Sequence, residues 1–271
     1  MITPVSSPND PRVSGYRAVK DRDLARDDGR FIVEGAIALE QIATHGRFPL
    51  DSLMLAESRL EPLAPLLARL DPALPVYAVT QPVMDAITGF HIHRGVLALA
   101  RRQPPQTAAQ LIAALPAGPA TVLVAIGLAN HDNTGACFRN AAALGASAVL
   151  LDETSCDPLY RKSIRVSSGA ALSLPFAHGG TGETVLAALT AAGFEPWLLT
   201  PTNGEPLHTL DPPKRLAIVL GEEGNGLPVD LLSRHRRVAI PMASTMDSLN
   251  VATAGAIALA HAYARRTTSR A

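Results

Sequence analysis

Three short stretches concentrate the residues that could do chemistry. The first, Asn130–Asn140 (NHDNTGACFRN), follows an apolar run and opens a helical pattern. Asp132 or Asn133 can cap that helix, because a short side-chain oxygen accepts from the free amides of a first turn. Gly135 allows close approach of a ligand or another segment. Arg139 lies further along, where it could point back over the strand ends; an exposed helical arginine would account for it equally well. The second stretch, Gly221–Gly226 (GEEGNG), follows apolar Leu216–Leu220. Its glycines are neither G-x-G-x-x-G nor a loop closed by Gly-Lys-Ser/Thr, and Glu222 and Glu223 would repel a phosphate. Such a loop suits a neutral or cationic ligand held by backbone groups, or simply a turn needing positive φ. The third, Ile240–Asn250 (IPMASTMDSLN), places Ser244, Thr245, Asp247, Ser248 and Asn250 just before a helical pattern, with Ser248 reading as its N-cap.

Other chemistries fit less well. A nucleophilic serine needs a histidine and a carboxylate; His235 and His261 are available, but no G-x-S-x-G elbow exists. His91 and His93 have no companion cluster at metal-ligand spacing and read as strand-edge histidines, so no metal is expected. Cys137 lies on an apolar helix and reads as core.

The elements that must position these stretches follow from periodicity. Upstream, the pattern predicts an exposed helix over Arg12–Arg26 after a polar tail, Met1–Asn9. Strands are expected at Phe31–Val33, Leu50–Leu55, Val76–Val79 and Gly95–Ala100, with helices at Gly35–His45, Leu60–Leu70 and Pro82–Ile87 between them. This is a small α/β domain over residues 1–102. RRQPPQ marks a boundary, and 103–119 reads as a linker containing a short helix, Ala108–Leu115. Beyond it, ATVLVAI (Ala120–Ile126) is a continuous apolar run suited to a strand covered on both faces. Strands Ala148–Leu151, Leu174–Ala177 and Pro196–Leu199 alternate with helices Thr134–Leu144, Leu159–Leu172 and Gly182–Ala192, and a last helix spans Ser248–Ala264. The alternation over 120–271 predicts a mostly parallel sheet with helices on both faces.

Composition narrows the partners. The 271 residues are 47% hydrophobic and carry 24 basic against 24 acidic side chains. A bare electrostatic nucleic-acid binder is expected to be basic, so composition alone does not point to RNA or DNA, although Arg12, Arg17, Lys20, Arg22, Arg26 and Arg30 cluster early, diluted by Asp21, Asp23, Asp27 and Asp28, and Arg94, Arg101 and Arg102 form a second group. Two cysteines make no disulfide framework. No apolar run is long enough to span a bilayer, and the N-terminus lacks a signal-peptide pattern. A cytoplasmic setting without membrane association is expected.

Taken together and in order, the three stretches resemble the SpoU/TrmH-type ribose 2′-O-methyltransferases of the SPOUT class. Asn133, Gly135 and Arg139 match the first motif. Leu220, Gly221, Glu223, Gly224 and Gly226 match the second, and Ile240, Pro241, Met242, Ser248, Leu249 and Asn250 the third. Asn140 stands where relatives more often carry Thr or Ser. Asn9–Arg102 resembles the family's N-terminal substrate-binding domain. The resemblance implies S-adenosylmethionine as methyl donor and a homodimer built through the C-terminal domain, with the site at its interface. It also implies a deep trefoil knot through which the last helix and its preceding loop are threaded. Donor contacts would come from Thr200, Leu220, Gly221, Gly224, Ile240, Met242 and Leu249. Catalysis would rest on Asn133, Arg139, Glu223, Ser248 and Asn250. A guanidinium stays protonated at accessible pH, so Arg139 is expected to orient the target phosphate rather than act literally as the base. Ribosomal RNA is expected ahead of transfer RNA. A non-catalytic RNA-binding module and a dehydrogenase reading Gly221–Gly226 as a dinucleotide loop are the alternatives.

Overall fold

The structure is a computed structural model that describes residues 2–17, 29–243 and 247–268. Lys20, Arg22, Arg26 and the aspartates among them lie outside the described residues, as do Ser244 and Thr245. The chain folds into two compact units, residues 1–104 with 159–173, and residues 105–158 with 174–271.

The first unit is built on runs of branched apolar residues. Its strands are β1 (Ile2–Pro4), β2 (Arg30–Glu34), β3 (Leu50–Ala56), β4 (Val76–Val79) and β5 (Val96–Arg101), in the order β1-β4-β3-β5-β2. β1, β4 and β3 run parallel, and β5 is antiparallel to both β3 and β2. Helices α1 (Ala36–His45), α2 (Leu60–Leu67) and α3 (Gln81–Thr88) connect them. The N-terminal stretch expected as a polar tail instead adds an edge strand: an edge position needs only backbone pairing, and Val5 behind it is buried. The helix expected over Arg12–Arg26 starts as a 3-10 turn, Pro11–Tyr16, and then leaves the described residues.

The second unit opens with α4 (Ala108–Ala114), whose start is closed by a capping box between Thr107 and Gln110. Leu111 and Ile112 enter the second unit's core, so 103–119 is more than a connecting strand of chain. β6 (Ala120–Ala125), α5 (His131–Ala143) and β7 (Ala148–Leu151) follow. The chain then returns to the first unit. The single helix expected over Leu159–Leu172 is two, α6 (Arg161–Val166) and α7 (Ala170–Ser173), broken where Ser168 and Gly169 both take positive φ. Gly169 is needed there: a Cβ would stand 3.1 Å from the Ala38 backbone of α1. α6 packs on β2 and α7 on α1.

Back in the second unit come β8 (Phe176–His178), α8 (Gly182–Ala191), β9 (Glu195–Thr200), β10 (Glu205–Pro206), β11 (Arg215–Leu220), α9 (Val229–Arg234), β12 (Arg236–Ala239) and α10 (Val251–Thr268). The seven strands are all parallel, ordered β10-β12-β9-β11-β6-β7-β8. β6 and β7 are buried along their whole length. Val122, Val124, Ala217 and Val219 face α4 and α8 on one side; α5 and α10 pack together, and α10 also lies against β11 and β6. From β6 the order runs outward in two directions, to β7 and β8 on one side and to β11, β9 and β12 on the other. Such a switch opens a crevice at the carboxyl ends of the strands.

Candidate functional site

At that crevice, three strand ends and one helix start enclose a cavity of about 360 Å³, within the range of small-ligand sites. β9 contributes Leu199, Thr200 and Pro201; β11 and its loop contribute Leu220 to Gly224 and Gly226. β12 leads to Ile240 and Met242, and the start of α10 supplies Ser248, Leu249, Asn250, Val251 and Ala254. All seven residues expected to touch a donor, Thr200, Leu220, Gly221, Gly224, Ile240, Met242 and Leu249, line this cavity, as do Glu223, Ser248 and Asn250.

Local chemistry explains the walls. Glu222 and Gly226 exchange backbone hydrogen bonds (3.2 and 3.0 Å), folding the acidic loop back on itself. A Cβ on Gly221 would stand 2.5 Å from the Gly226 carbonyl carbon and 2.6 Å from the Leu227 nitrogen, so this position excludes any side chain. Gly255, one helical turn beyond Val251, lets α10 settle on β11: its Cβ would meet Leu220 Cδ1 at 3.0 Å. Thr200 spends its hydroxyl on the Thr202 carbonyl (2.7 Å), tightening the turn after β9.

Both helix caps differ from expectation. α5 is capped by Asn130, whose side-chain oxygen accepts from the Asp132 and Asn133 amides (2.8 and 3.4 Å), not by Asp132 or Asn133. α10 is capped by Asn250, which accepts from the Ala252 and Thr253 amides (3.0 and 3.2 Å), leaving Ser248 outside the helix at the cavity wall. Each true cap sits two or three residues from the residue read as one, and Asx and Ser side chains serve this role almost interchangeably.

Released from capping, Asn133 ties the three stretches together. Its amide donates to the Glu223 carboxylate, and its carbonyl accepts from the Asn250 amide (2.9 Å). One hydrogen-bonded chain thus runs from the acidic loop through α5 to the start of α10. Arg139 is not part of it. This guanidinium is exposed two turns along α5, with no partner among the described residues, where an anion can reach it. Cys137 on the same helix is buried, which with the Glu223 charge pushes its thiol up to about 12 and leaves it inert.

Supporting contacts escape motif reading. Asp152, at the end of β7 and 4% exposed, accepts from the Gly127 amide (3.0 Å), the Thr154 hydroxyl (2.6 Å) and the Ser155 hydroxyl (2.7 Å), and Ser155 in turn accepts from the Leu128 amide (3.0 Å). This scaffold holds the loop between β6 and α5, and with it Asn130 and Asn133. Asn140 donates to the Ala252 carbonyl (3.0 Å), pinning α5 to the first turn of α10. An aspartate at a strand end was the available signal for the first; nothing in the spacing marks the second. Among the described residues no group of three or more His, Cys, Asp or Glu side chains could hold a metal ion.

Comparison with known proteins gives the same region a lineage. A model of the SpoU rRNA Methylase family matches residues 120–260. An uncharacterized tRNA/rRNA methyltransferase from Mycobacterium bovis is 38% identical over 267 residues, covering 95% of this chain and 90% of that protein. A 23S rRNA (guanosine-2′-O-)-methyltransferase from Bordetella pertussis is 29% identical over 196 residues, 70% of this chain and 78% of that protein. The crystal structure of AdoMet-bound rRNA methyltransferase from Sinorhizobium meliloti aligns with a TM-score of 0.80 at 26% identity, over 98% of both chains.

Proposed function

The chain belongs to the SpoU rRNA methylase family of RNA methyltransferases, and we propose that it transfers the methyl group of S-adenosylmethionine to a ribose 2′-hydroxyl of ribosomal RNA. The observation that carries this reading is the cavity at the ends of β9, β11 and β12, joined by hydrogen bonds to Asn133. Its chemistry suits the donor. Glu222 and Glu223 favour a cation and disfavour phosphate, glycines bring backbone groups close, and Leu220, Ile240, Met242 and Leu249 offer an apolar bed for an adenosine. S-adenosylmethionine, when bound, supplies an electrophilic methyl group on a cationic sulfonium. The Bordetella pertussis and Sinorhizobium meliloti relatives support the 2′-hydroxyl and the donor respectively.

The protein's part is positioning. Holding two reactants in line removes much of the entropic barrier to transfer. Backbone groups of Gly221, Ile240 and Leu249 hold the donor, while the Glu223–Asn133–Asn250 chain keeps loop and helix in register around it. Arg139 takes the phosphate beside the target ribose, and the hydroxyl proton leaves to that phosphate or to water. The packing of α10 on α5, with the start of α10 sharing a cavity with the loops after β9 and β11, supports the trefoil knot. Apolar residues left exposed on α10, Ile257 and Tyr263, support a homodimer through this unit.

The test is transfer of label from methyl-labelled S-adenosylmethionine to bulk ribosomal and transfer RNA, followed by alkaline digestion, which leaves a 2′-O-methylated linkage uncut. Label in alkali-resistant dinucleotides from ribosomal RNA is the expected result. Arg139→Ala is expected to lower transfer by roughly two orders of magnitude while donor affinity by calorimetry stays unchanged. Full activity in Arg139→Ala would remove this residue from the mechanism.

A further inference from the structure

The loop between α3 and β5 is held from inside and presents its side chains outward. Asp85 accepts from the Ile92 amide (3.1 Å) and from Gln81 Nε2 (2.7 Å), and its other oxygen lies 2.6 Å from His91 Nδ1. That interaction with His91, with the other hydrogen bonds, holds the Asp85 carboxyl below its usual range. Gln81 also donates to the Ile92 carbonyl (3.1 Å), and the Thr88 hydroxyl to the Phe90 carbonyl (2.8 Å). Ile92 is buried beneath these anchors, whereas Phe90 is 40% exposed and His91, His93 and Arg94 are exposed beside it. The two imidazoles meet edge to face at 4.5 Å.

Arginines gather around this loop. Arg94 lies against Gly35 and Arg59 against Gly95, both at the same end of the sheet of the first unit. The inserted helix α6 adds Arg161, which sits 4.5 Å over the Phe90 ring and pairs with Glu34 at 3.0 Å. Arg165 follows one turn later, on the same side of α6, and is exposed. Among the described residues none of Arg59, Arg94 and Arg165 meets a carboxylate. In a chain with 24 basic and 24 acidic residues, three guanidiniums that meet no carboxylate among the described residues, gathered beside an exposed aromatic ring, are a local departure. A guanidinium is weakly hydrated and shaped for bidentate phosphate contact. Aromatic faces interleaved with cations are what an unpaired nucleic-acid strand requires.

We propose that the Phe90–Arg94 loop and the inserted helix α6 together form a docking surface for an unpaired RNA segment. Arg59, Arg94 and Arg165 take phosphates, and a base stacks on Phe90, whose ring Arg161 already braces. This rests on the RNA-methyltransferase reading and deepens it. Part of the grip comes from sequence lying between the first two motifs of the methyltransferase half, since α6 belongs to the first unit in space.

Fluorescence anisotropy of the full chain with a labelled, mixed-sequence single-stranded RNA tests the surface. Arg94→Glu and Arg165→Glu are each expected to weaken binding about tenfold at low salt and to lower the salt slope by about one. Phe90→Ala should cost about tenfold with the salt slope unchanged, and Arg94→Lys should retain most of the affinity. Arg237→Glu, at an exposed arginine of the second unit, alters net charge equally and should leave binding as it is. Donor affinity by calorimetry and the urea-unfolding midpoint followed by circular dichroism should match the parent in every variant, which shows that both units are folded. Unchanged RNA binding in the first-unit variants, equal weakening by Arg237→Glu, or competition by polyglutamate as strong as by polyuridylate overturns the surface. Absence of label transfer to RNA by the parent protein would instead overturn the methyltransferase reading.

Discussion

Asn133 is 8% exposed and uses both ends of its amide, donating to Glu223 and accepting from Asn250. A buried amide so engaged is costly to replace, because its partners lose hydrogen bonds that water cannot easily restore. Asn133→Ala is expected to destabilise the protein by about 1–3 kcal/mol in urea unfolding. Asn133→Asp should be worse despite its near-identical shape, since it sets a second carboxylate against Glu223. Equal losses from the two substitutions would mean that the charge at Glu223 does not matter here. Cys137 makes a separate prediction. Its thiol is raised from an ordinary value of 9.0 to about 12, first by burial and then by Glu223. A group with a raised folded-state pKa stabilises the fold fully below its unfolded value and loses that contribution as pH rises. Stability should therefore decline between pH 9 and about 12, and Cys137→Ala should flatten that part of the curve. Native Cys137 should also resist iodoacetamide at about pH 8 and react only on unfolding.

At the level of elements, the acidic loop after β11 contains two glycines that matter for different reasons. Gly221 is crowded: any Cβ would overlap the Gly226–Leu227 backbone. Gly224 has a φ of 97° and open space around it. Gly221→Ala must push the loop apart, at a cost of about 1–3 kcal/mol, and should abolish donor binding. Gly224→Ala meets only conformational strain, of order 1–2 kcal/mol, and should weaken donor binding far less. Calorimetry on the two variants separates the cases. The same loop shows how packing sets α10. Gly255 lets the helix approach Leu220, Asn140 holds its first turn, and Arg266 near its end donates to the Ala120, Pro213 and Lys214 carbonyls at the start of β6 and β11. Ser248–Asn250 are held at the cavity because the whole helix is fastened at both ends.

The division of the whole molecule does not follow the chain. Residues 159–173 leave the methyltransferase half and complete the first unit, where α7 covers α1 and α6 covers β2, with Arg161 closing over the buried carboxylate of Glu34. A fragment ending at Pro104 would lose that cover and expose apolar surface around Ala38 and along β2. It is expected to bind a hydrophobic dye and to melt less cooperatively than the intact protein; a sharp transition at the parent's temperature would show that the inserted helices are dispensable.

What the sequence determined by itself was local. Apolar runs such as Ala120–Ile126 and Leu216–Leu220 announced buried parallel strands, because such strands need apolar side chains on both faces. The order of Gly221–Gly226 and Ile240–Asn250 announced one cavity, because strand ends in an α/β sheet converge. Tertiary structure decided the partners. Asn130 rather than Asn133 caps α5, and Asn250 rather than Ser248 caps α10, because neighbouring polar residues compete for the same amides and only the backbone path selects a winner. It freed Asn133 to bridge residues 90 and 117 positions away, a distance no periodicity encodes. It also drew α6 and α7 into the other unit. Local patterning can state that a helix has an apolar face, but which surface buries that face is settled only when the chain has folded.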